Sequence, residues 1–296
     1  MGWAYGLTTV PERRDNLFLR TLTSLAKAGF DQPRLFIDGC KCPTQYEKYG
    51  LEVTTHYPNL RTAGNWVLSL YELYIRNPEA DRFAIFQDDF VTGLNLRQYL
   101  DCCEYPEQGY WNLYTFPANQ KLCPEGKTYQ GWYPADQYGK GAVALVFNRE
   151  TVCTLLSQRM LVNRPQDVNR GHKAIDGGIV DALSPLGFVE YVHNPSLVQH
   201  TGLVSSMSNK RHPTAETFPG ENFDFMDLVP NREIIDAKLR EWEIERVSLE
   251  KAMREDQDRA NAATIPAERA RFLSHVQRYQ KRLVAHLRNY HVRLKK

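Results

Sequence analysis

The sequence has no run of 18 apolar residues, which excludes a hydrophobic transmembrane helix. Its first residues, Met1-Gly2-Trp3-Ala4-Tyr5, show no basic stretch followed by an apolar one, so no signal peptide is visible. Six cysteines are present (Cys40, Cys42, Cys102, Cys103, Cys123 and Cys153), but no C-x-x-C pair. Cys40-x-Cys42 and the adjacent Cys102-Cys103 are poor zinc spacings, and free thiols in a reducing compartment are expected. Gly139-Lys140-Gly141 is no P-loop, because the Gly-x-x-x-x-Gly-Lys-Ser/Thr pattern is absent. There is no internal repeat and no low-complexity tract. An excess of one charge is also lacking: 37 basic residues face 35 acidic ones, a net charge of +2. The chain as a whole therefore does not announce a polyanionic partner. These absences lead to the expectation of a soluble cytoplasmic protein, or one of the host cytoplasm if the source is viral.

What is present is ordinary globular composition, 42% hydrophobic and 24% charged over 296 residues. That length supports one large domain or two, with a core that needs no disulfide or metal staple. Apolar runs and helical patterns alternate over the first ~230 residues. Strands are expected at 2–9, 34–39, 52–56, 83–86, 113–116, 142–147 and 188–192. Leu17, Leu19, Leu22, Leu25 and Ala26 recur at helical spacing up to Gly29, and further helices are expected over 63–76, 148–161 and 175–183. Alternating units of this kind predict a mixed, mostly parallel α/β sheet flanked by helices, over residues 1–230.

From residue 231 the pattern changes. Residues 232–262 contain no Gly or Pro, and Ile235, Leu239, Trp242, Leu249 and Met253 form a narrow apolar stripe. After Pro266 the stripe resumes at Leu273, Val276, Leu283, Leu287, Tyr290 and Leu294, which predicts an α-helical hairpin over 231–296. Its seam is free to pack on the preceding domain or on a second copy of the chain, as a homodimer. Residues 265–296 hold nine Lys and Arg against Glu268 alone, a local charge of +8 that leaves −6 for the rest. This basic tail is a candidate surface for nucleic acid or an anionic membrane face, and equally a solvated helix face.

The sharpest chemical signal is Phe83-Ala84-Ile85-Phe86-Gln87-Asp88-Asp89, an apolar strand that delivers two carboxylates at its C-terminal end. Ligands of open α/β sheets bind at that edge. Two adjacent acids repel unless a cation or a hydrogen-bonding diol lies between them, and Mg²⁺ or Mn²⁺ bridging a diphosphate suits such a pair. Thr8, Thr9 and Asp38 close the first two strands and would share that edge. Asn59-Leu60-Arg61-Thr62-Ala63-Gly64-Asn65 opens a helix, where Arg61 and free backbone N–H groups suit a diphosphate. Asp176, before Gly177-Gly178 at a helix start, is placed to act as a general base toward a hydroxyl of very high pKa. Asp181 is the reserve base, and helix capping is the alternative role for Asp176. Tyr105, Tyr110, Trp111, Tyr114, Phe116, Tyr129, Trp132, Tyr133 and Tyr138 suit either sugar or base stacking or plain core packing.

This layout resembles the GT-A fold of nucleotide-sugar glycosyltransferases, with Gln87-Asp88-Asp89 standing where those enzymes have D-x-D or E-D-D. The resemblance implies nucleobase and ribose contacts from Thr8, Thr9, Arg13 and Asp38. It implies ribose or sugar contact from Asp88, with Arg61 and Asn65 also on the donor side, and metal coordination by Asp89. A second block, Ile175-Asp176 followed by Pro195-Ser196-Leu197-Val198-Gln199-His200-Thr201-Gly202-Leu203-Val204-Ser205-Ser206, is similar to the N-acetylglucosaminyltransferase IV family. There His200 matches a second metal ligand. The similarity spans roughly residues 80–207; Gln87 departs from it, since an acid opens the family's motif. It implies a metal-dependent (Mn²⁺ or Mg²⁺), inverting transfer of a sugar from a nucleoside-diphosphate sugar, expected to be a UDP-sugar. The acceptor would be a hydroxymethylated DNA base or a glycan. A nucleotidyltransferase or pyrophosphorylase on the same fold is the alternative, although no Gly-rich loop follows the first strand. A non-catalytic binding module is the third.

Overall fold

The computed structural model describes residues 2–14, 17–124, 126–163, 175–202, 213–230 and 232–288, with the side chains of 127, 232–242 and 281–288 outside the description. The chain divides into two units, 1–228 and 229–296.

In the first unit the elements run β1 (Trp3–Thr9), α1 (Leu17–Lys27), β2 (Arg34–Asp38), β3 (Val53–His56), α2 (Arg61–Arg76), β4 (Arg82–Gln87) and β5 (Phe90–Thr92). They continue with α3 (Leu96–Cys102), β6 (Gly109–Asn112), α4 (Pro117–Gln120), β7 (Gly131–Pro134), β8 (Ala144–Asn148), α5 (Arg149–Leu156) and α6 (Arg159–Asn163). Last come α7 (Ile175–Leu183), β9 (Val189–Asn194) and β10 (Val198–His200). Eight strands form one sheet in the order β3-β2-β1-β4-β8-β6-β9-β7. β8 and β7 run against the other six, so the sheet is mixed and mostly parallel, as the alternating pattern implies.

Alternation along the strands builds two buried faces. Ala4, Phe83, Ile85, Leu145 and Phe147 pack with Trp66 and Leu70 of α2, Val152 of α5 and Ile179 of α7. On the opposite face Phe30 stacks edge-on against Trp3, Tyr5 and Phe86 beside α1. A sheet covered on both faces leaves its strand ends as the open polar edge, and there the site is built.

Several details differ from the sequence expectation. The strand expected at 113–116 lies at Gly109–Asn112, and the helix expected over 148–161 is two pieces, α5 and α6. Asn148 caps α5 by accepting the Thr151 N–H at 2.7 Å. α3 and β7 were not foreseen. Nor was the antiparallel pair of β5 with β10, since strands of three residues carry too little periodicity to read.

In the second unit α8 (Arg232–Ala262) and α9 (Pro266–Arg288) form the expected helical pair. Leu249, Ala260 and Val276 are buried there, and so is Asp256, which meets Arg259 at 2.9 Å and His275 Nδ1 at 3.2 Å. Ile235, Leu239, Trp242, Leu283, Leu287, Tyr290 and Leu294, named for the seam, lie outside the residues whose side chains are described.

Candidate active site

β1, β2 and β4 are parallel, with Thr8 in register with both Phe36 and Gln87, so Thr9, Asp38 and Gln87 end at one edge. Past Gln87 the chain carries Asp88 and Asp89 and then turns into β5. Pairing of β5 with β10 sets Phe90 opposite His200, and the Thr201 N–H donates to the Asp89 carbonyl at 2.8 Å. That ladder brings His200 Nε2 to 3.6 Å from Asp89 Oδ2, across 111 residues of sequence.

Asp88 and Asp89 are 2% and 4% exposed, too dry for two unpaired carboxylates. Their counter-charge is Arg13, from the single turn Pro11–Arg13 that follows β1. Its Nη1 lies 2.6 Å from Asp88 Oδ1 and 2.9 Å from Asp89 Oδ2. Thr9 Oγ1 donates to the other Asp88 oxygen at 2.5 Å. Burial pushes the Asp88 carboxyl up to about 6; Arg13 and Thr9 hold it down, and the neighbouring Asp89 charge adds to the rise. Burial alone would lower Arg13, but the two carboxylates outweigh it and raise it. The repulsion that the sequence assigned to a cation or diol is thus met here by a guanidinium from the chain itself.

Asp89 Oδ1 is buried without a hydrogen-bond partner. Such an atom costs stability unless something fills its place, and a hard cation is a suitable filler. Among the described residues no group of three or more His, Cys, Asp or Glu has the geometry to hold a metal. Mg²⁺ and Mn²⁺ are commonly bound by one or two carboxylates with the remaining positions on water and substrate phosphates. The residues therefore fit a cation that shares its shell with a diphosphate, and not a cage made by protein alone. His200 Nδ1 accepts the Gly202 N–H at 3.1 Å, so in the neutral ring the proton sits on Nε2, facing Asp89. In this tautomer the Nε2–H faces Asp89 Oδ2 at 3.6 Å, beyond hydrogen-bond reach; to ligate through Nε2 the ring would have to give up the Gly202 contact.

The other expected donor-side residues are distributed as follows. Thr8 spends its hydroxyl on the Phe86 carbonyl at 3.0 Å, inside the sheet. Asp38 is buried and accepts the Leu60 N–H at 2.7 Å at the start of α2. Burial raises its pKa, while the Leu60 and Arg61 backbone N–H groups pull it back. Arg61 begins α2 on the surface with φ of 62°, and Asn59 Oδ1 accepts its N–H at 2.8 Å. A left-handed non-glycine backbone fixed by its neighbours is a form of strain that tends to gather at functional sites. Asn65 is turned inward, 2.6 Å from His56 Nδ1, and is not brought to the acid pair.

Asp176 lies in the first turn of α7, partly buried, accepting the Gly141 N–H at 3.2 Å on Oδ2 and the Gly177 N–H at 3.0 Å on Oδ1. The Gly139–Gly141 turn is pressed onto the helix start. Gly139 has φ of 64°, and a Cβ there would lie 2.3 Å from the Asp176 carbonyl oxygen; Gly141 has φ of 78°, and its Cβ would lie 2.4 Å from the Tyr114 ring. Two links join this turn to the acid pair. Gln87 Nε2 donates to the Ala142 carbonyl at 2.8 Å, which is the role this amide plays where an acid was expected. Tyr114 lies between Gly141 and His200, its ring 6.2 Å from the imidazole. Asp181 is further along α7, and 203–207 of the matching block lie outside the described residues.

Sequence reasoning missed the support beneath this turn. Asn112 Nδ2 donates to the Lys140 carbonyl at 3.1 Å and to Glu190 Oε1 at 2.9 Å. Gln137 clasps Glu190 through both of its backbone groups, at 2.9 and 3.0 Å. Glu190 is 2% exposed, and its Oε2 has no partner. The available signal was a lone acid in the otherwise apolar and aromatic run Phe188–Val192. The aromatic cluster splits. Trp111 and Trp132 stack at 4.6 Å as packing, whereas Tyr138 is 76% exposed and, with Phe116, flanks the Lys140 ammonium at 5.4 and 5.7 Å.

No family model matches the sequence, and no curated protein matches it. Similar solved structures include the nucleoside-diphosphate-sugar pyrophosphorylase from Vibrio cholerae. It is 13% identical over 68% of this chain and 95% of its own, with a TM-score of 0.39. Another is mannose-1-phosphate geranyltransferase from Thermus thermophilus, 15% identical over 65% of this chain and 74% of that one, TM-score 0.40. A third, HddC from Yersinia pseudotuberculosis, is 10% identical over 67% and 94%, with a TM-score of 0.38.

Proposed function

We propose that the protein is a glycosyltransferase that moves a sugar from a nucleoside-diphosphate sugar to an acceptor hydroxyl with inversion. The carrying observation is one strand edge that holds two buried carboxylates, one with an unpartnered oxygen, and that is joined through Gln87 and the Ala142 carbonyl to the turn that meets a third carboxylate at the start of α7. The similarity of Ile175-Asp176 and of 195–206 to the N-acetylglucosaminyltransferase IV family supports the same assignment. Thr9, Asp88 and Arg13 take the nucleotide side, and Arg61 faces the diphosphate at the α2 N-terminus. Asp89 would hold Mg²⁺ or Mn²⁺, with His200 as a neighbour or second ligand. The metal, when bound, offsets charge that develops on the leaving diphosphate. Asp176 accepts the acceptor's proton as its oxygen attacks the anomeric carbon and the bond from that carbon to the diphosphate oxygen breaks. Gly139 and Gly141 let their turn close onto the start of α7 and the Tyr114 ring, Gly177 would let the acceptor approach the backbone beside Asp176, and Tyr138 and Phe116 offer ring faces to it.

The test is a panel of nucleotide sugars, UDP-sugars first, with and without Mn²⁺, read by thermal shift and by donor hydrolysis. One donor should stabilise the protein and be hydrolysed slowly. Asp176→Asn should keep donor affinity within about twofold and lower turnover by a factor of about 10² to 10⁴, the usual worth of a general base. Formation of pyrophosphate from a nucleoside triphosphate and a sugar phosphate would replace this reading with nucleotidyl transfer. The acceptor search begins with duplex DNA carrying hydroxymethylated bases, because the 265–296 tail suits phosphate contacts, and continues with glycans.

A further inference from the structure

The Arg13 guanidinium and the divalent cation assigned above compete for one place. Both call on Asp89 Oδ2, at the pair it forms with Asp88. Arg13 reaches both carboxylates with a single nitrogen, at 2.6 and 2.9 Å. A cation bound to Asp89 Oδ2 would lie about 2.0–2.6 Å from it, crowding the Arg13 nitrogen that already lies 2.9 Å from that oxygen. Charge argues the same way. Two buried carboxylates balanced by one guanidinium leave a single negative charge, whereas a divalent ion added alone, with Arg13 in place and no diphosphate, would leave an excess positive charge in a dry site.

Arg13 is able to leave. It sits on the isolated turn Pro11–Arg13 and not on a long element, and its side chain is 19% exposed. A diphosphate offers it a new partner, because guanidinium pairs with phosphate oxygens in a planar, two-bond geometry. When Arg13 departs, Asp89 Oδ2 is released beside the already unpartnered Oδ1.

We infer that Arg13 and a divalent cation are alternative partners of the Asp89 carboxylate, so that the cation enters together with a nucleoside diphosphate that draws Arg13 away. This rests on the proposed donor class, but its test does not need a donor. Mn²⁺ binding to the full chain is measured by calorimetry and by the free-Mn²⁺ spin-resonance signal, without nucleotide, for wild type, Arg13→Gln and Arg13→Lys. Circular dichroism and thermal unfolding check that each variant is folded.

Arg13→Gln, which empties the place of charge, should bind Mn²⁺ at least tenfold more tightly than wild type. Arg13→Lys, which keeps a charge but loses the fork, should fall between them. Uridine diphosphate should raise Mn²⁺ affinity strongly in wild type and clearly less in Arg13→Gln. By linkage, Mn²⁺ should raise diphosphate affinity by the same factors. Folded Arg13→Gln that binds Mn²⁺ no more tightly than wild type overturns the inference, and so does Arg13→Lys with the affinity of Arg13→Gln. If instead no nucleotide sugar is bound or turned over while Arg13→Gln still gains Mn²⁺ affinity, the proposed function fails and the competition stands.

Discussion

At the scale of single residues, the buried acids decide where this chain is under electrostatic stress. Glu190 is the plainest case. Burial pushes its carboxyl up to about 7, the Asn112 amide pulls it back, and the Asp136 and Asp176 charges add to the rise. An acid whose folded pKa exceeds its unfolded value adds stability below the unfolded value, near 4, and loses it as pH rises through the folded one. Wild type should therefore lose stability relative to Glu190→Gln between about pH 4 and pH 7, by a few kcal/mol at most. Thermal unfolding of both proteins across that range measures it, and parallel curves would show that Glu190 does not titrate there. Asp88 and Asp89 were legible in the sequence because an apolar strand followed by two acids is a local pattern. Arg13 was legible as a residue but not as their partner, since the pairing spans 75 residues and only the sheet register creates it. Asn112 was invisible for the same reason, and Glu190 showed only as a lone acid in an apolar run: each matters only through what the fold sets against it.

At the scale of elements, the turn 139–141 controls where the Asp176 carboxylate points. It is held from below by Asn112, from the side by the Asp136–Lys140 ion pair, and it donates the Gly141 N–H to Asp176. A methyl at Gly139 would meet backbone atoms of Asp176 and Gly177 at 2.3–2.8 Å, at a φ that L-residues rarely adopt. Gly139→Ala should move this turn off the start of α7, with a stability loss of about 1–3 kcal/mol. Because the donor-side residues lie on the other side of Gln87, donor affinity should change less than threefold while turnover falls at least tenfold. Equal losses in both would place the turn under the donor as well. The helical pair gives the converse lesson about legibility. Its stripe of Leu249 and Met253 could be read at 3.6 spacing, but the same stripe continues through Asp256, which periodicity marks only as polar. The structure shows Asp256 buried in the seam and answered by His275 and Arg259, a polar pairing of the kind that fixes register between helices.

At the scale of the whole molecule, charge is partitioned along the chain and not balanced within each unit. The mostly parallel sheet and the helical pair were both legible, because each rests on long periodic segments, whereas the short β5–β10 ribbon that seats His200 beside Asp89 was not. The first unit, with a net charge of −4, carries all of the candidate chemistry, and the +8 of residues 265–296 falls in the second. If the tail holds a polyanionic acceptor, chemistry and acceptor affinity should separate under mutation. Arg269, Arg271 and Arg278 are exposed on α9 and remote in sequence from every candidate site residue. Changing all three to Gln in the full chain should leave metal-dependent donor hydrolysis unchanged. Binding to duplex DNA should weaken, and the slope of log affinity against log salt should flatten by roughly 0.9 for each phosphate no longer neutralised. A flattened slope with unaltered donor hydrolysis would make the tail an acceptor-holding arm that acts through concentration and not through catalysis. If the wild-type chain shows no salt-dependent DNA affinity while anionic vesicles retain it, the same basic face belongs to a membrane surface, and the acceptor is to be sought among glycans.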